Sequence, residues 1–296
     1  MLKKDKLKAE SRKLKAARVK PELPGGFRDY GPADAILRQR LLEKIRKTFE
    51  DFGFDPIETP AVERTEVLTK GEREAQNIIF NIKGSREKKS DASLRFDLTV
   101  PLARFVAANP EIPKPFKRYQ IGQVWRGESP QAGRYREFLQ ADVDIVGSSS
   151  LGADAEIVTL IYSVFTNLGI KNFLIKINSR KLLNDLPAFA GFPEKKLWDV
   201  LRTVDKKDKL GEESIRKELA KIVKKKAADK IMDEFLKSGI PSSVGLRELN
   251  DLLRLLDAMG VEKDKRVLDF SVVRGLGYYT GPVFEAVLTK LPQRGS

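Results

Sequence analysis

The sequence predicts an α+β fold in which a β-rich core is interrupted by an inserted helical domain. Residues 117–147 hold two runs of alternating apolar and polar residues around a hinge, SPQAG, as a β-hairpin does. Residues 34–52 and 154–168 instead repeat apolar side chains at helical spacing. From about 185 to 264 the pattern is purely helical and more charged, and strand-like segments lie on both sides of it.

Residues 1–20 form a basic arm, weakly apolar at Leu7 and Leu14, closed by the break PELPGG at 21–26. Ile36, Leu37, Leu41, Leu42, Ile45, Phe49 and Phe52 then share one face of a long amphipathic helix that ends at Gly53. FDPIETPAV, 54–62, reads as a strand interrupted at Pro56 and Pro60. A proline removes a ladder donor, so this piece belongs at a sheet edge or an interface. Short strands follow near 78–82 and 94–97, and a helix near 100–108. After the hairpin and the 154–168 helix comes a strand at 173–177, and strands return at 267–273 and 283–288. The division is therefore an arm (1–20), a core (21–184), a helical insertion (185–264) and a return to the core (265–296).

At 296 residues the chain can bury roughly three quarters of its unfolded surface. A hydrophobic content of 41% beside 33% charged residues is that of a soluble globular protein. No stretch approaches the roughly 20 apolar residues of a membrane span, and the N-terminus lacks the apolar centre of a secretory signal. The expected setting is the cytoplasm, with no membrane partner. The absence of Cys excludes disulfides, thiol nucleophiles and thiolate metal sites. The absence of His excludes imidazole bases, serine–histidine triads and imidazole metal ligands. Chemistry falls to carboxylates, Arg, Lys, Tyr, backbone dipoles or a bound metal. The net charge of +14 is uneven: residues 1–20 carry nine Lys/Arg against two acids, and a second basic run spans 206–230. Either a polyanion partner or a lysine-rich surface kept for solubility accounts for it.

From Phe138 onward the alternation is strict. Phe138, Gln140, Asp142 and Asp144 fall on one strand face; Leu139, Ala141, Val143 and Ile145 fall on the other. The apolar face is buried for stability, so the polar one looks to solvent or to a ligand. Arg126, Glu128, Arg134, Arg136 and Glu137 crowd the connection. Alone, this is compatible with an ordinary solvated hairpin. A distant segment, RGLGYYTGPVFE at 274–285, shifts the balance. Its glycines permit either a tight turn or close approach of a ligand to the backbone.

Together the two segments resemble the histidyl-tRNA synthetase family, within the class II aminoacyl-tRNA synthetases. The hairpin is similar to class II motif 2: Arg126 and Glu128 at a strand end, a variable loop, and a returning strand opened by Phe138. RGLGYYTG at 274–281 is similar to that family's histidine signature. GGFRDYGP at 25–32, Pro60 at the close of motif 1, and LRFDLTVPLARF at 94–105 support the likeness, which runs from about Pro21 to the end. It implies a class II antiparallel sheet flanked by helices, carrying the helical insertion. It also implies a homodimer built on the long helix and the Pro60 strand, ATP with Mg²⁺, and no metal site of the protein's own. The implied activity is ATP-dependent activation of L-histidine and its transfer to the 3′ end of tRNA(His).

The resemblance also assigns roles. Arg126 holds both the amino acid's carboxylate and the α-phosphate, because a guanidinium fork bridges two anions. Arg274 approaches the α-phosphate from the other side, and these two are the catalytic pair. Glu128 suits the exocyclic amine of adenine, Phe138 stacking on its ring, and Arg134 the outer phosphates. Asp97, Thr99 and Gln140 resemble the group that binds the ammonium. Asp144 and Tyr279 face the imidazole, which offers one donor and one acceptor. Tyr278 completes the histidine-binding set by contact or by packing, and Trp125 belongs to the core. Family members continue past the LPQRGS end with motif 3 and an anticodon-binding domain, both absent here. Weak or no aminoacylation by residues 1–296 alone is therefore the expectation. A non-catalytic paralogue, such as the regulatory subunit of ATP phosphoribosyltransferase or a tRNA-sensing domain, is the alternative; the Arg126, Glu128 and Arg274 set favours the enzyme.

Overall fold

The computed structural model describes residues 20–70, 75–84, 91–131, 133–273 and 279–290. Most of the basic arm, Arg274, Tyr278 and the end of the chain lie outside them. Pro32 opens α1 (Pro32–Asp51), where its fixed φ suits a first helical turn, and Gly53 ends it at φ +73°. Two short strands follow, β1 (Asp55–Pro56) and β2 (Val62–Arg64), with Pro60 in the break between them. β3 (Phe80–Ile82) and β4 (Ala92–Leu94) precede α2 (Thr99–Ala108). The hairpin consists of β5 (Phe116–Trp125) and β6 (Glu137–Val146). α3 (Leu151–Asn167) and β7 (Phe173–Ser179) come next. A run of helices then includes α4 (Glu212–Ile222) and α5 (Val244–Ala258), and β8 (Arg266–Leu268) and β9 (Pro282–Leu288) complete the described elements.

Among the described residues the strands form three sheets of three, ordered β1-β5-β6, β2-β4-β3 and β8-β7-β9. Four pairings are antiparallel, while β1 on β5 and β8 on β7 are parallel. Proline-containing β1 takes the edge of its sheet, where a missing ladder donor faces outward. The strand expected over 267–273 stops at Leu268. Asp269 accepts from the Ser271 amide at 3.0 Å and from its hydroxyl at 2.5 Å, which turns the chain out of the ladder.

The apolar face of the hairpin rests on helices. Tyr119, Ile121, Val143 and Ile145 pack with Phe49 and Ile45 of α1 and Leu160 of α3. Lys117 bridges these parts, donating to the Phe52 carbonyl beyond the end of α1 and to Glu156 of α3, both at 2.5 Å. The helices after β7 share one larger cluster with Phe173, Ile175 and Ile177 of that strand. α1 departs from its expected burial: only Thr48 and Phe49 are sealed, and Ile36, Leu37 and Leu41 are exposed. Among the described residues no helix is long and apolar enough to cross a membrane.

Candidate active site

With its apolar face covered, the hairpin turns Phe138, Gln140, Asp142 and Asp144 the other way, over the segment between β4 and α2. The register sets Val124, Gly122, Gln120 and Arg118 opposite them, on the same face. Arg118 is wholly buried and forms an ion pair with Asp144 at 2.5 Å. Burial lowers the Arg118 pKa and raises that of Asp144, and in each case the partner's charge opposes the shift. Burial likewise pushes the Asp142 carboxyl up to about 6, against the attraction of Arg118 and with the repulsion of Asp144 and Asp97 added.

Arg95 fastens the surrounding parts together. Its guanidinium donates to the Thr59 carbonyl at 2.7 Å and to the Gln123 carbonyl at 2.9 Å, joining the proline-interrupted segment to β5. A side chain at position 122 would meet that guanidinium at 2.5 Å, so glycine there leaves room for it. Two residues on, Asp97 accepts from the Val100 amide at 3.1 Å, where the first turn of α2 favours a carboxylate. Arg126 leaves the end of β5 and donates to the Phe96 carbonyl at 3.1 Å, with its guanidinium 5.0 Å from the Phe138 ring centroid. Tyr279 approaches from the segment before β9 and is 43% exposed.

These residues enclose a cavity of about 420 Å³, the size of a small-molecule site. It is lined by Asp97, Thr99, Arg126, Gln140, Asp142, Asp144 and Tyr279, together with Val143 and with Ile78 and Phe96 as its apolar wall. The segments around residues 97, 126, 140 and 279 thus meet at one place. Glu128, Arg134 and Phe138 are not among the lining residues. Glu128 and Arg134 are exposed at the hairpin tip, and Phe138 is half-buried beside Arg126. The tip is tied to the N-terminal segment: the Arg136 amide donates to the Gly26 carbonyl at 2.8 Å, and Arg28 lies 4.5 Å from the Tyr135 ring centroid. Trp125, expected in the core, is half-buried at the last ladder position, and Val124 is the sealed residue.

Two residues enter the site without a role from the motifs. Asp142 was marked by the alternation, which puts it between Gln140 and Asp144. Arg118 carried no signal of its own, because only the pairing register shows that it meets Asp144. Among the described residues no group of carboxylates is arranged to hold a metal ion.

A motif-2-like hairpin with an arginine at its strand end, opening on a cavity that holds fixed carboxylates and an amide, defines the catalytic region of a class II aminoacyl-tRNA synthetase. A family profile described as histidyl-tRNA synthetase matches residues 26–294. The chain belongs to the histidyl-tRNA synthetase family. It is 44% identical over 298 residues to a histidine–tRNA ligase of Aeropyrum pernix, covering 94% of this chain and 66% of the relative. A histidine–tRNA ligase of Treponema denticola is also 44% identical, with the same shares covered. The crystal structure of histidyl-tRNA synthetase from Nostoc sp. PCC 7120 superposes with a TM-score of 0.81 at 33% identity, over 92% of this chain and 66% of that one. The chain thus spans just under two thirds of the length of these relatives.

Proposed function

We propose that this chain carries the histidine- and ATP-binding part of a histidine–tRNA ligase. The observation that carries the proposal is the single cavity joining Arg126 to Asp97, Thr99, Gln140, Asp144 and Tyr279. The relatives named histidine–tRNA ligase support it. In the reaction the carboxylate of histidine attacks the α-phosphorus of ATP, the bond to the pyrophosphate oxygen breaks, and histidyl-adenylate and pyrophosphate result. A hydroxyl of the terminal ribose of tRNA(His) then attacks the acyl carbon and displaces AMP. The first nucleophile is already an anion, so the step needs charge cancellation and in-line positioning rather than a strong base. A chain without His or Cys can supply both.

Arg126 neutralises the amino acid's carboxylate and the α-phosphate, and Arg274 does so from the opposite side. Glu128, Phe138 and Arg134 serve the adenine and the outer phosphates, as the motif implies. Asp97, Thr99 and Gln140 take the ammonium; Asp144 and Tyr279, with Tyr278, serve the imidazole. Mg²⁺ enters with ATP, held mostly by phosphates and water, and lowers the charge that the arginines must offset. The basic run at 206–230, within the insertion at 185–264, offers tRNA a cationic surface. The working assembly is a cytoplasmic homodimer. The regulatory-subunit alternative rests on fold alone: the crystal structure of an ATP phosphoribosyltransferase regulatory subunit/histidyl-tRNA synthetase from Bacillus halodurans C is 23% identical to this chain.

Calorimetric titration of the chain with L-histidine and with Mg²⁺–ATP tests the proposal. L-histidine is expected to bind in preference to other amino acids. Arg126→Ala is expected to weaken that binding roughly ten- to a hundredfold, the usual worth of a charge-assisted hydrogen bond. Equal binding of unrelated amino acids, or none of histidine, would remove the assignment.

A further inference from the structure

Asp142 lies on the cavity wall between two residues that already have roles. Its neighbours on the β6 face differ in how far they are committed. Asp144 is closed on one side by the buried guanidinium of Arg118 at 2.5 Å. The Gln140 side-chain oxygen is buried and accepts no hydrogen bond, so it is an acceptor awaiting a donor. Asp142 has neither a hydrogen bond nor an ion pair among the described residues. Gln120, opposite it in the register, turns its carboxamide to the Thr59 hydroxyl at 3.1–3.2 Å instead.

The surrounding charges place Asp142 at the backbone end of an amino-acid ligand. The groups acting on it are Arg118 from β5, Asp144 from β6, Asp97 from the loop before α2, and Arg126 from the end of β5. Tyr279 lines the same cavity from the segment before β9. Asp144, by contrast, is tied to Arg118 in a 2.5 Å ion pair. Asp142 therefore lines the cavity with Asp97 and Arg126, two residues along the β6 face from Gln140. Asp97 already spends one oxygen on the Val100 amide. An ammonium carries three N–H donors and is satisfied by three acceptors.

We propose that Asp142 is a specificity-determining residue that receives the α-ammonium of the substrate amino acid jointly with Asp97 and the Gln140 oxygen, which leaves the Arg118-paired Asp144 to the side chain. This deepens the histidine-site reading above and rests on it. A half-buried carboxylate with no cation paired to it binds a proton that an arriving cation expels, so ligand binding near pH 6 is coupled to proton release through Asp142.

Calorimetric titration of wild-type chain and Asp142→Asn with three probes provides the test: L-histidine, histidinol (which keeps the ammonium and lacks the carboxylate) and imidazole-4-propionate (which lacks the ammonium). Asp142→Asn is expected to weaken L-histidine and histidinol roughly tenfold or more while leaving imidazole-4-propionate unchanged. Titration at pH 6 in two buffers of different ionisation enthalpy should show greater proton release in wild type than in the variant. Equal loss for all three probes, or no loss for any, would overturn the assignment of Asp142 to the ammonium. Wild-type chain that binds no histidine would overturn the parent proposal as well, whereas wild-type binding matched by Asp142→Asn overturns this one alone.

Discussion

Arg118, Asp142 and Asp144 show how one strand pair sets unlike fates for like groups. Asp144 faces a guanidinium across the ladder and is held as an ion pair. Asp142 faces an amide committed elsewhere, and its carboxyl is raised to about 6. The alternation in the sequence shows that both point to one face. It does not show which has a cation opposite, since that depends on a register fixed some twenty-five residues away. The raised carboxyl has a consequence for stability. Its folded pKa lies above its unfolded one, so the fold bears the full cost of the ionised group above about pH 6. That cost is relieved as pH falls from there towards the ordinary carboxylate range. Asp142→Asn removes the ionisable group and should stabilise the chain at pH 8 by on the order of 1–2 kcal/mol, allowing for partial solvent access. The gain should shrink towards pH 5. Thermal unfolding of both proteins at the two pH values checks this, and a gain equal at both would refute the raised carboxyl.

Elements were legible where their period was long and unbroken. α1, α3 and the hairpin all follow directly from spacing, because an amphipathic pattern of ten or more residues has one good way to bury its apolar side. The strand expected at 267–273 was not legible. Val267, Leu268, Val272 and Val273 look strand-like, yet Asp269 captures Ser271 and ends the ladder. A local side-chain contact of that kind leaves no trace in the hydrophobic period. α5 shows a tighter constraint. Ser243 caps it by accepting from the Gly245 amide at 3.0 Å, and a β-carbon at 245 would lie 2.5 Å from the backbone nitrogen of Leu182. Backbone cannot yield as a side-chain tip can. Gly245→Ala should therefore cost about 1–3 kcal/mol, the usual range for overpacking, despite alanine's better helix propensity. A urea unfolding midpoint equal to that of wild type would show that α5 and the short helix Arg180–Asn184, which holds Leu182, separate freely.

At the scale of the molecule, two short segments identified the family, but the cavity could not be drawn from them. It exists because Arg95 joins three stretches of chain and because Asp97, from before α2, and Tyr279, from before β9, meet at the polar face of the hairpin. The same scale accounts for α1. Its apolar face is continuous in sequence, yet the core covers only the C-terminal half. Ile36, Leu37 and Leu41 remain 50%, 58% and 41% exposed, and Val62 in the proline-interrupted segment is 43% exposed. Fully burying an aliphatic side chain is worth about 1.5–3 kcal/mol, so a row of them left in water favours association. A second copy of the chain, pairing α1 with α1 about a two-fold axis, would cover the row with one self-complementary patch. Sedimentation velocity should then give twice the chain mass at micromolar concentration. Leu37→Glu should shift the chain towards monomer while leaving its secondary structure intact, because position 37 contributes nothing to the described core. A wild-type chain that stays monomeric, or a Leu37→Glu variant that dimerises as tightly, would place the interface elsewhere.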